Sequence, residues 1–145
     1  MPTYNSAQYA NNPLAGVGAF PGNMVAYHFE VAITAAAANL DVFNFGIVPK
    51  GFRLLGACLE STDIDTNGSP TVTINVGDAG SATRLFAAST VGQAGTADRA
   101  LAVAGQHFLY TADTLITGGI PTGPATGATG TLTLSLFGRF EGSAS

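Results

Sequence analysis

One cysteine, one lysine and no tryptophan occur in this 145-residue chain, and only 10% of its residues are charged. Ordinary soluble domains are about a quarter charged. The lone thiol, Cys58, rules out an internal disulfide, and its apolar strand-like surroundings suit a buried inert cysteine rather than a nucleophile. The five basic side chains are scattered, with Lys50 and Arg53 the nearest pair, and the net charge is −4. Phosphate recognition needs clustered cations, so no nucleic acid partner is expected. The apolar stretch from Val31 to Ala38 is too short to cross a bilayer and lies between Glu30 and Asp41, so no membrane partner is expected either. No basic region followed by an apolar run opens the chain, and no signal peptide is expected.

Catalytic constellations are also missing. There is no Gly-x-Ser-x-Gly elbow and no phosphate-binding loop, and Gly16, Gly18 and Gly22 miss the dinucleotide spacing. His28 and His107 are the only histidines, whereas a structural zinc site takes about four ligands. The expectation is a protein that is not an enzyme and holds no cofactor.

Small residues fill the space that charges leave. A domain of this mass exposes about 6,900 Å², roughly one charge per 490 Å². So sparse a surface favours association, and we expect neighbouring subunits to cover much of it.

Residues 1–23 contain three prolines and four asparagines, and their apolar residues follow no period. They read as an extended N-terminal arm, with Tyr4, Tyr9, Leu14 and Phe20 as its partner-contacting residues. From Met24 the period is two. Val25, Tyr27, Phe29, Val31 and Ile33 alternate with smaller or polar residues, the pattern of a half-buried strand. Phe43, Phe45 and Ile47 share one face of the next strand. Phe52–Leu59 has apolar residues on both faces, and Val72, Ile74 and Val76 point inward from Thr71–Val76. Gln106–Thr111 and Thr114–Thr117 are strand-like, and 118–130 is glycine- and proline-rich loop. Leu132, Leu134, Leu136 and Phe140 line a final strand, with Gly138 as a bulge or close-packing position. The region from Ser81 to Gly105 fits short strands or helical turns equally. This amounts to an all-β, single-domain antiparallel β-sandwich or jelly-roll of about eight strands over residues 24–145.

Asp63, Asp65, Asn67 and Gly68 match the opening of a calcium loop, in which alternate side-chain oxygens face one cation. The match stops at its twelfth position, Ile74, where a bidentate glutamate would complete the coordination. Asp and Asn also favour tight turns through bonds to their own backbone, and a turn feeding a strand is the stronger reading. A carbohydrate-binding β-sandwich module is an alternative of another class. Sugars are gripped by aromatic faces, and Tyr110 is the tyrosine outside both the arm and the core-facing positions.

The runs Leu40-Asp-Val-Phe-Asn-Phe-Gly-Ile-Val-Pro49-Lys-Gly-Phe-Arg-Leu-Leu and Asp63-Ile-Asp-Thr-Asn-Gly-Ser-Pro-Thr-Val-Thr-Ile-Asn-Val-Gly-Asp78 resemble small virion proteins of tailed bacteriophages. Tyr110-Thr-Ala-Asp-Thr-Leu115 and the Thr-Gly-Thr-Leu of the last strand add to the resemblance, which spans residues 24–140. It implies a head decoration or cement protein on the capsid surface. Such a protein is made in the host cytoplasm, often forms a homotrimer, and bridges capsomers through contacts with the major capsid protein. A head-fibre, neck or tail component is the alternative within the same class.

Overall fold

Strict alternation along Met24–Ile33 puts Tyr27, Phe29, Val31 and Ile33 on a buried face and leaves Ala26, His28, Glu30 and Ala32 outside. That pattern has one good solution, a sheet with a single face packed on a second sheet. The computed structural model describes residues 2–6 and 24–141 and shows this arrangement. Its strands are β1 (Thr3–Asn5), β2 (Met24–Ile33), β3 (Val42–Val48), β4 (Phe52–Ser61), β5 (Thr73–Gly77), β6 (Phe86–Ser89), β7 (Ala97–Asp98), β8 (Thr114–Thr122) and β9 (Gly130–Phe140). Two single turns of 3-10 helix, Val91–Gln93 and Val103–Gly105, interrupt the segment whose character the sequence left open.

One sheet runs β1-β3-β8-β5-β6 and the other β2-β9-β4-β7. Every pairing is antiparallel except β1 with β3, where Thr3, Tyr4 and Asn5 lie beside Val42, Phe43 and Asn44 in parallel. The expected all-β sandwich therefore forms, with nine strands among the described residues.

Its core is aromatic at one end. The Tyr27 and Phe52 rings meet edge to face at 5.1 Å, and Phe140 meets Phe52 the same way at 5.9 Å. Each such pair adds about 1 kcal/mol to its burial.

Bulges account for departures from simple alternation. In β3 the register shifts between Asn44 and Gly46, so Phe43, Phe45 and Val48 are buried and Ile47 is only partly covered. The inward set expected from the period is thus corrected at its last member. One extra residue flips every side chain beyond it. At the shift Phe29 from the facing sheet takes the room of a side chain at Gly46, its ring 2.5 Å from where a Cβ would sit. In β4 a shift between Leu54 and Gly56 leaves both Leu55 and Gly56 off the buried face, so Ala57 and Leu59 continue the inward set begun by Phe52 and Leu54.

The loop expected over 118–130 begins later than the glycines suggest. Gly118 and Gly119 belong to β8, between β3 and β5, because the rings of Phe43 and Phe45 occupy the room a side chain at Gly118 would need. Phe108–Tyr110 forms no extended strand. It follows β4 through the Leu109–Arg53 bridge and backbone bonds at Leu54 and Phe52.

Candidate functional site

The corner between β4 and β5 holds the residues that resembled a calcium loop. Asp65 is fully buried, and its carboxylate accepts N–H groups from Thr71 (2.7 Å), Val72 (3.2 Å), Ala125 (3.0 Å), Thr126 (2.9 Å) and Asn67 (3.4 Å). Burial pushes this carboxyl up, but the N–H donors outweigh it and hold the group well below the usual carboxylate range. Asp63 Oδ1 accepts the N–H of Asp65, and Asn67 Oδ1 accepts that of Ser69. At least one oxygen of each would-be ligand therefore faces N–H dipoles, whose positive ends oppose a second positive charge. The corner works as a staple, tying the entry of β5 to the segment after β8.

The other polar candidates are dispersed. His28 is on the exposed face of β2, with Nδ1 3.3 Å from Ser135 Oγ. His107 adopts a φ of 59°, and its carbonyl accepts a bond from the Arg53 guanidinium. Cys58 is buried, and burial pushes its thiol up, away from the thiolate a nucleophile needs. Among the described residues no three His, Cys, Asp or Glu side chains gather as a metal site.

Tyr110, the aromatic expected to be free for a sugar, is instead buried, its ring 4.9 Å from that of Phe108 and 6.5 Å from that of Phe52. Tyr4 is also buried in its own chain, stacked on Phe43 at 5.8 Å. Hydrophobic burial against β3 accounts for its position. Tyr9, Leu14 and Phe20 lie outside the described residues.

One cluster escaped the sequence. Arg84 forks onto Asp78 at 2.7 and 3.3 Å while its guanidinium carbon lies 3.8 Å from the centre of the Phe108 ring. Asp78 Oδ1 also accepts the N–H groups of Gly80 and Ser81. A Gly-Asp-Ala-Gly turn followed by an arginine was the available signal, and the Phe108 contact had none. A 450 Å³ hollow opens beside this cluster, and a 410 Å³ groove runs over Gly119 between Leu40, Asn75 and Pro121.

The outer face of the four-stranded sheet is the most organised surface. Read across β2, β9 and β4, its rows are Met24–Arg139–Arg53, then Ala26–Phe137–Gly56, His28–Ser135–Cys58 and Glu30–Thr133–Glu60. Met24, Phe137 and Leu55 are exposed at 67%, 43% and 39%. Arg53 and Arg139 share the single carboxylate of Glu141, which they pull down to about 2. At the opposite end, Glu30 and Glu60 line a 250 Å³ depression floored by Thr133.

The described surface is poor in charge, and Met24, Leu55 and Phe137 leave apolar side chains exposed on the outer face of the four-stranded sheet. No protein-family model and no curated protein matches the sequence. Among solved structures, a chain of the capsid of Ralstonia phage GP4 superposes with a TM-score of 0.85 at 30% identity, over 97% of this chain and 99% of that one. A chain of the cyanophage Pam1 capsid asymmetric unit superposes with a TM-score of 0.75 at 40% identity, over 90% of this chain and 95% of that one. The chain belongs to this family of bacteriophage capsid proteins and is a structural protein of a phage virion.

Proposed function

We propose that the protein is a capsid decoration protein, which sits on the outer surface of the phage head as a homotrimer and bridges capsomers of the major capsid protein. The observation carrying this reading is the near full-length match, at 30% and 40% identity, to chains of two phage capsids. The surface supports it: 14 charged side chains over 6,620 Å² leave large apolar and threonine-rich areas for neighbours to cover. Several modest contacts per trimer then add through avidity and oppose separation of the capsomers.

Residues 7–23 are the proposed contact to the shell or a sister subunit. The ends of this segment are anchored on one body: Ser6 bridges to Val31, and Met24 begins the same strand seven residues away. That separation is about 23 Å along β2, whereas seventeen residues can extend to about 58 Å. The surplus allows a reach of roughly 17 Å beyond the domain and back.

The test uses shells assembled without this protein. Added protein should co-sediment with them at saturable occupancy, assemble in threes, and raise the temperature at which they rupture. Failure to bind, or a copy number of one ring per particle as in a neck or tail, would reject decoration. Replacing residues 7–23 with a short Gly-Ser linker should abolish shell binding while the domain remains folded, and undiminished binding would remove the role of that segment.

A further inference from the structure

We propose that the outer face of the four-stranded sheet is a self-complementary contact between two copies of the chain, in which Arg139 of one copy enters the depression between Glu30 and Glu60 of the other. Along β2, β9 and β4 the charges on this face are segregated, with Arg99 beside Cys58 at the β7 edge. Arg53 and Arg139 stand at one end with only Glu141 between them, leaving an excess of one positive charge, while Glu30 and Glu60 stand at the other. The floor of the acidic depression, Thr133, and Arg139 are on the same strand, β9, six residues and about 20 Å apart. A two-fold axis lying between the two faces, perpendicular to β9 at the level of residue 136, therefore places each Arg139 over the partner copy's Thr133, between two carboxylates.

The same operation sets the exposed Phe137 ring over the row His28–Ser135–Cys58, which contains the buried thiol. Both ends of the contact are satisfied at once, as an isologous interface requires. A cation from an unrelated protein would satisfy only the acidic end and leave Phe137 and the arginines uncovered. Arg139 suits the role because its side chain is half exposed and shares its carboxylate with Arg53.

Strands β2, β9 and β4, each about ten residues long, offer about 500 Å² per copy at standard strand rise and spacing, below the roughly 800 Å² per partner of stable complexes. The contact is therefore weak in solution and forms where copies are concentrated. On the capsid reading of the previous section, it joins neighbouring trimers on the shell. That location rests on the capsid reading, but the contact itself does not.

Sedimentation equilibrium of the full chain from 10 µM to 1 mM at low salt tests it. The mass of whatever unit exists at low concentration should double reversibly. Arg139→Glu and Glu60→Arg should each weaken the doubling at least tenfold, and the two changes combined should restore it, since the two-fold pairs each position with the other. Both positions are on the solvent face, and circular dichroism of each variant checks the fold. No doubling by 1 mM, or a double variant no better than the weaker single one, overturns the contact. Doubling without shell binding would reject the capsid reading and leave the contact standing, while shell binding without doubling would do the reverse.

Discussion

Five backbone N–H groups from three separate segments converge on the Asp65 carboxylate, and this one side chain ties a turn, a strand entry and a distant loop together. Its replacement by Asn puts an amide among donors it cannot satisfy. Asp65→Asn should lower the melting midpoint by about 10 °C, a large effect for a single side chain in a domain of this size. The sign with pH follows from the direction of the shift. A carboxyl held below its ordinary value of about 4 contributes stability above that pH and loses it as pH falls. Glu141, pulled down to about 2 by its two arginines, acts the same way between about pH 4.5 and 2. Stability should therefore be flat near neutrality and fall steeply below pH 4, and in Asp65→Asn the fall should be shallower. Because N–H groups already occupy both oxygens of Asp65, the Asn67 oxygen and one oxygen of Asp63, adding a chelator should leave the melting curve unmoved. A midpoint that drops with chelator and returns with calcium would restore the metal reading.

At the scale of elements, glycines decide where strands pass close to one another. A Cβ on Gly118 would approach the Phe45 ring at 2.9 Å and the Asn75 carbonyl at 3.1 Å, in the strand between β3 and β5. Gly118→Ala should cost about 2 kcal/mol through displaced rings and a strained ladder, measured by urea denaturation. An unchanged midpoint would mean that β8 runs elsewhere. Strand β1 makes a different point. Tyr4 covers Phe43, and the Thr3–Asn5 backbone occupies the open side of β3. Tyr4→Ala should cost about 3 kcal/mol and speed amide exchange in β3. A pure surface role for Tyr4 would show neither effect. The expected arm over 1–23 therefore begins with residues tied to the domain, which is why the shell-binding test replaces 7–23 and keeps 2–6.

For the whole molecule, low charge is the governing quantity. The 6,620 Å² surface matches what one folded copy of this mass should expose, yet it offers few charges to keep copies apart. Light scattering of the purified protein should therefore give a mass above 14.6 kDa, three times that value if the proposed trimer forms. A strict monomer at high concentration would count against both the trimer and the face contact.

Period-two alternation was legible from Met24 to Ile33 and from Leu132 to Phe140 because each strand buries one face, so local pattern and tertiary role coincide there. The same holds for Val72, Ile74 and Val76, and for the turn chemistry of the Asp63–Gly68 corner. By itself the sequence determined an all-β sandwich with a surface poor in charge, since alternation, turn residues and charge count are local properties. Tertiary structure alone decided which face Ile47 and Val48 take, that Gly118 and Gly119 lie within a strand, and that Tyr4 and Tyr110 are buried. It also decided that Asp65 binds N–H groups from residues sixty positions away. Those outcomes depend on atoms brought close by chain crossings, and a ring from the opposite sheet or a donor from a distant loop leaves no trace in the residues beside it.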